Sequence, residues 1–285
     1  MKTERHDDHM IRRYDSWGEW CDMIDARPNN PSAGLEGEFT SSLDNSEAFS
    51  GGWDYRETAR RLRQGWKEGT ARIVQGLESL HATEQDAAPC PHQFEHDIAG
   101  AFPDVSAYCA GEPEHMLTPA WTDPQASPTF AVYIQPAACS LVKADHLERY
   151  GIAALSIIDA TARAGLSVEV WAAIHMFSRH DSSTWTTLVP LTLAGTVIDR
   201  DRLAAAMHPG FFRRAYFAHT ETHADHMESV GGGYGRPTPL SPETARLNGP
   251  GLLLPMAGTM PDHLTTPGKA AEWVRENAKE ITTCR

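Results

Sequence analysis

The sequence predicts an α/β protein: a central sheet flanked by helices, preceded by an irregular or helical N-terminal extension. Residues 130–134 and 167–177 are rich in apolar and β-branched side chains with strand-like alternation. Between them Leu147, Ala154, Leu155, Ile158 and Ala162 share one helical face. Strand, helix and strand within about fifty residues make a βαβ unit, which requires a right-handed crossover and a sheet covered by helices. The length of 285 residues suffices for one large core with an extension.

Taken in order, residues 1–54 carry Tyr14, Trp17, Trp20, Phe39, Phe49 and Trp53 among Asn, Pro, Ser and Gly, and read as an aromatic-rich irregular arm with a short helical turn near Ser16–Ile24. Asp54 is an N-cap for a helix from Tyr55, with Glu57 in its first turn. Ala59, Leu62 and Trp66, then Ile73, Val74, Leu77 and Leu80, continue an apolar stripe across Gly65 and Gly69, predicting two short helices or one kinked helix. Residues 83–128 hold seven prolines and read as a long surface connection, with a boundary near its end. The expected organisation is therefore 1–54 arm, 55–128 helical segment and proline-rich connection, and 129–285 α/β domain.

Within that last part, Gly165 is a left-handed helix cap, and Thr184–Leu191 is a third strand. Helices are expected near Asp201–Met207 and Phe211–His219, then a glycine-rich turn at 231–235 and a strand at Leu252–Met256. A C-terminal helix is expected from Ala271, Val274, Ala278 and Ile281, spaced by three, four and three.

Lys and Arg number 25 against 38 Asp and Glu, a net charge of −13, which argues against a general phosphate-binding surface and so against nucleic acid as a partner. Apolar runs are far shorter than the ~20 residues of a membrane helix, and the N-terminal residues lack a signal-peptide apolar region. No membrane partner and a cytoplasmic location follow as expectations. The five cysteines are scattered without a CxxC pair, indicating free thiols in a reducing compartment.

One stretch has metal-ligand spacing: His219, Glu221, His223, Asp225, His226 and Glu228. On a helix His219, His223 and His226 fall at i, i+4 and i+7, a face able to hold zinc or another transition metal or simply to meet solvent. HExxH is not matched. Cys90, His92, His96 and Asp97 form a weaker set in the proline-rich segment, and Gly231, Gly232, Gly233 and Gly235 lack the strand and helix a phosphate loop requires. No GxSxG nucleophile elbow occurs. Arg213 and Arg214 lie among Phe211, Phe212, Tyr216 and Phe217, where packing and pairing with Glu221 compete with exposure to a ligand.

The texture of Phe130–Ala173, with Arg149-Tyr150-Gly151-Ile152-Ala153-Ala154-Leu155 between the strands, resembles the opening βαβ of von Willebrand factor A-type domains. With Trp53-Asp54-Tyr55, Gly65-Trp66-Lys67-Glu68-Gly69, Ala110-Gly111-Glu112-Pro113-Glu114-His115-Met116 and His208-Pro209-Gly210-Phe211-Phe212-Arg213-Arg214, it resembles an uncharacterised family carried by bacteriophages and mobile elements. The resemblance implies a von Willebrand A-like, Rossmann-like sheet. Those domains bind Mg²⁺ through DxSxS after the first strand, whereas the corresponding residues here are Gln135-Pro136-Ala137-Ala138-Cys139.

The expected function is a non-enzymatic phage or mobile-element protein acting through protein–protein contacts, in assembly or as an adaptor, with Trp53, Trp66, Arg213 and Arg214 as interaction residues. Its partner is a protein or a second copy of the chain, in the host cytoplasm or on the virion, and no cofactor is expected. The alternative is a metal-dependent hydrolase, with a divalent transition metal on the His219–Glu228 cluster.

Overall fold

The computed structural model describes residues 1–26, 50–81, 94–98, 102–103, 105–119, 129–139, 142–178, 181–223, 234, 236–247 and 249–281. The first of these corrects the expectation of an irregular arm. Strands β1 (Lys2–His6) and β2 (His9–Arg13) form an antiparallel hairpin, and helix α1 (Trp17–Ala26) follows. The helix buries Trp17, Trp20, Cys21 and Ile24, at i, i+3, i+4 and i+7. The hairpin escapes a sequence reading because β1 is charged and mostly exposed, so alternation is faint until a sheet supplies the neighbour.

Helix α2 (Tyr55–Gln64) begins where Asp54 Oδ1 accepts the Glu57 N–H at 2.6 Å, and it ends at Gly65, whose φ is +84°. Helix α3 (Lys67–His81) completes the pair of helices the glycines predict. The stretch expected as a plain connection has a three-stranded antiparallel sheet of its own, built from β3 (Phe94–Asp97), β4 (Phe102–Pro103) and β5 (Met116–Pro119) in the order β3-β5-β4. Helix α4 (Val105–Cys109) lies between β4 and β5.

The predicted βαβ unit follows as β6 (Thr129–Gln135), α5 (Ala144–Arg163) and β7 (Ser167–Phe177), with β6 and β7 parallel. Next come β8 (Thr184–Thr192), α6 (Arg200–Met207), a π-helical turn at Phe211–Tyr216 and α7 (Phe217–Glu221). Strand β9 (Arg236–Pro237), β10 (Gly251–Met256), a 3-10 turn at Ala257–Thr259, α8 (Pro267–Asn277) and β11 (Lys279–Ile281) complete the described chain. The C-terminal helix stops earlier than its spacing predicts: Ala278 turns extended, with ψ at 139°, and Ile281 pairs opposite Gly251 in the sheet.

The architecture is α/β, with a mixed eight-stranded sheet in the order β1-β2-β8-β7-β6-β10-β11 and β9 paired to β7. Strand β6 runs parallel to both neighbours, β7 on one side and β10 on the other. Strand β8 is antiparallel to β7, and β2 parallel to β8. Among the described residues, the buried side chains of α1, α2, α3, α5, α6, α7 and α8 join one core with Val132, Ile134, Val170 and Ile174. Ala131, Tyr133, Trp171 and Leu188 point to the opposite face, where Leu240, Ala245 and Leu247 cover them. Because Tyr14, Trp53 and Leu62 belong to the first core, residues from all three expected segments share it. No helix among the described residues is long and apolar enough to cross a membrane.

Candidate functional site

In open α/β sheets ligands gather beyond the carboxyl ends of the strands, where strand order reverses. Here that reversal is at β6, and the helix leaving its carboxyl end is α5. The first turns of α5 form one wall of a cleft of about 420 Å³, through Ala144 and Glu148. Residues 51–53 form another wall, and α3 and the end of α6 close it.

The floor is aromatic. Trp53 and His208 stack with ring centroids 3.5 Å apart and 17° between planes, and Trp66 meets both edge-on, at 5.1 and 4.9 Å. Gly69 makes this possible: a Cβ there would lie 2.0 Å from Trp66 Cε3. The Gly210 N–H donates to His208 Nδ1 at 3.1 Å, so the neutral ring carries its proton on Nε2. Burial pushes His208 down to about 3, against a smaller opposing effect of its hydrogen bond with the Gly51 backbone. The ring is therefore neutral at ordinary pH.

The rim is charged on both signs. Arg61 bonds Glu57 at 2.7 Å and also Glu68, while Arg72 stands 3.8 Å from Glu148 and 5.7 Å from the Trp66 ring centroid. Glu68 is held below the usual carboxylate range by backbone and Arg61 hydrogen bonds. No Ser, Thr or Cys is among the described residues lining the cleft. The side chains that do line it offer stacking, apolar contact and ion pairing.

Trp53 and Trp66, both expected interaction residues, thus meet in one cleft, and Arg213 and Arg214 stand behind its walls. Arg213, 3% exposed, donates through Nη2 to the carbonyls of Cys139 and Val142 at 2.7 and 2.8 Å, fixing the loop that leads into α5. Arg214, 0% exposed, donates to Ser50 Oγ at 3.1 Å, and Ser50 in turn donates to the Trp53 carbonyl. Successive arginines reach two walls because neighbouring side chains on a helical turn project in different directions about its axis.

The family model described as Domain of unknown function (DUF7192) matches residues 2–259. The chain belongs to this family. All residues of the cleft named above fall within the DUF7192 match, which runs from β1 to the 3-10 turn after β10. No curated protein and no solved structure matches the chain.

The histidine cluster is placed differently from its expected helical face. Helix α7 ends at Glu221, so His223 lies beyond it, and Asp225, His226 and Glu228 are outside the described residues. His219 and Glu221 are fully buried, which corrects the reading of this segment as a solvated helix end. Tyr14 OH and His219 Nδ1 are 2.8 Å apart, Thr187 Oγ1 and His219 Nε2 3.3 Å, and the Tyr234 hydroxyl donates to Glu221. The His219 and His223 rings approach to 4.4 Å, and His223 Nδ1 bonds the His219 carbonyl at 2.7 Å. Among the described residues no three His, Cys, Asp or Glu side chains converge as metal ligands. His96 and Asp97 lie on β3, whereas Cys90, His92 and the glycines at 231–233 and 235 fall outside the described residues.

The facing pair Arg72 and Glu148 carries no signal in the sequence, and His208 is marked there only as part of a motif, not as a site residue. His208 opens the His208-Pro209-Gly210 motif, and its Pro-Gly was the only signal available that its backbone is turned back toward the ring.

Proposed function

We propose that the chain is a non-enzymatic interaction protein whose aromatic cleft docks a segment of a protein partner, in the phage or mobile-element setting that the sequence resemblance implies. The observation that carries this is the cleft itself: a stacked Trp53–His208 pair and Trp66 at its floor, with carboxylate and guanidinium groups facing each other at its rim. Aromatic and arginine side chains in concave, desolvated surroundings supply most of the energy of protein interfaces.

The von Willebrand A-like reading belongs to the same proposal, supported by the β6–α5–β7 unit and by β10 parallel to the other side of β6. The loop after β6 is occupied internally. Gln135 donates to the Leu254 carbonyl and accepts the Leu240 N–H, and the Ala137 carbonyl accepts from Gly258. With Arg213 on Cys139, this favours docking by shape and stacking over docking through a bridging cation.

The test is affinity capture followed by reconstitution with the recovered, purified partner. Trp66→Ala and Arg72→Glu should each weaken the reconstituted complex about ten-fold or more while leaving the fold intact. A protein that yields no stoichiometric partner, neither another chain nor a second copy, overturns the proposal, as does a complex indifferent to both substitutions. The alternative, a metal-dependent hydrolase on His219–Glu228, draws support from the 4.4 Å approach of the His219 and His223 rings, but requires His219 to exchange its bonds with Tyr14 and Thr187 for a metal. Elemental analysis separates the two: near-stoichiometric zinc in chelator-free protein would favour the hydrolase.

A further inference from the structure

A second depression shares no lining residue with the aromatic cleft. This groove, about 580 Å³, lies where α1 and α6 both begin, at the carboxyl end of β8, and includes Trp17, Gly18, Thr192, Leu193, Val197 and Arg202 in its lining. We propose that it binds a carboxylate carried on an apolar body: a small apolar acid or the C-terminal residue of a peptide.

The first indication is an unmet hydrogen bond. Thr192 is 3% exposed and lines the groove, and its hydroxyl has no partner among the described residues. The hydroxyl oxygen itself lies just beneath the groove surface. A buried hydroxyl left unpaired costs stability, and a turn of the Thr192 side chain that brings it to a ligand oxygen in the groove removes that cost.

The second is the convergence of positive potential from three sources. The first-turn amides of α1 and α6 have no acceptor within their own helices, and each N-terminus carries the positive end of a helix dipole. Ser16 Oγ accepts the Glu19 N–H at 3.1 Å and Asp199 Oδ1 the Arg202 N–H at 3.0 Å, which caps one amide of each helix. Gly18 keeps the start of α1 open to approach, since a Cβ there would meet only Ser16 Oγ at 3.7 Å. Arg202 is the third source. Its Nη1 donates to the Leu191 carbonyl at 3.1 Å and its guanidinium lies 5.6 Å from the Trp17 ring centroid, so the planar fork is held at the groove wall.

The third indication is the lip. Val197 is 92% exposed and Leu193 39%, two large aliphatic side chains beside the polar end. An exposed apolar edge next to a cationic pole fits an amphipathic acid.

Charge counting selects a monoanion. Asp199 already stands 3.6 Å from Arg202, and Asp15 and Glu19 near the start of α1 hold the Met1 ammonium. A dianionic phosphate would meet this acidic surround with too little positive charge to offset it, in a chain of net charge −13.

The experiment titrates the full-length protein, followed by amide NMR, with hexanoate, with a short peptide ending in a free leucine carboxylate, with the same peptide amidated, and with inorganic phosphate. Saturable shifts are expected at Gly18 and Thr192 with the two carboxylates, and about ten-fold weaker binding with the amide and with phosphate. The tighter of the two carboxylates identifies the source, small acid or chain terminus. Arg202→Gln should lose about ten-fold in affinity, and Thr192→Val about three-fold or more with a melting temperature equal to or above the parent's. Equal binding of the amide or of phosphate, no saturation by about 10 mM of either carboxylate, or affinity that survives both substitutions in folded protein overturns the proposal. The outcome is independent of the aromatic cleft, which none of these variants touches.

Discussion

At the scale of single residues, the burial of charged and titratable groups has measurable consequences. Arg213 is 3% exposed and satisfies two backbone carbonyls, so Arg213→Ala should cost about 3–5 kcal/mol, by stranding the Cys139 and Val142 carbonyls and leaving a cavity. A thermal scan should show Tm lower by roughly 5–15 °C, and a variant that melts like the parent would contradict this structural role. Acid sensitivity belongs to His208 and His175 on the evidence of their surroundings, because burial pushes them down to about 3 and about 4. Unfolded histidine titrates near ~6.5, so below that pH the unfolded chain binds protons that the folded chain refuses, and stability rises with pH. Between pH 6.5 and 4 each group should remove up to about 1.4 kcal/mol per pH unit, read from urea midpoints; a flat profile across that window would contradict both assignments.

At the scale of elements, packing faces decide the outcome. Helix α5 buries Leu155 and Ile158 against the sheet, and truncating either to Ala should cost about 2–5 kcal/mol in chemical denaturation. Strand β10 approaches β6 so closely that a Cβ at Gly251 would lie 2.4 Å from the Ala131 carbonyl oxygen. That oxygen is backbone in a central strand and cannot swing aside, so Gly251→Ala should destabilise strongly and release protection of β10 amides in hydrogen exchange; unchanged protection would count against the β6–β10 register. The βαβ unit was legible in the sequence because its period changes from two to 3.6 and back between residues 130 and 177. The hairpin β1–β2 and the strand β11 were not, since short, charged edge strands owe their structure to a neighbour rather than to their own pattern.

At the scale of the whole molecule, the N-terminal hairpin is part of the sheet that carries the cleft and the groove. Strand β2 pairs with β8 from His9↔Thr184 to Arg13↔Leu188, and Tyr14 and Trp17 beyond it enter the main core. Deleting residues 1–13 should therefore expose the edge of β8 and produce association visible by light scattering, whereas a dispensable arm would leave a monodisperse protein. The aromatic cleft depends on the same integration. Trp53 and Trp66 are thirteen positions apart on either side of α2, and His208 comes from the far end of α6. No local pattern brings these three rings together.

The sequence by itself determined the α/β class, the β6–α5–β7 unit, the capped start of α2 and the negative charge, because each is fixed by periodicity, by one capping side chain or by counting. It also marked Trp53, Trp66, Arg213 and Arg214 as residues worth following. Tertiary structure alone decided their arrangement: two arginines buried behind the cleft walls, two tryptophans at its floor, and a histidine packed against both and held neutral by desolvation. The same distinction applies to His219 and Glu221, which look like exposed ligands when read along the chain. They are buried because Tyr14, Thr187 and Tyr234, distant in sequence, supply their hydrogen bonds, and long-range pairing of that kind leaves no periodic trace.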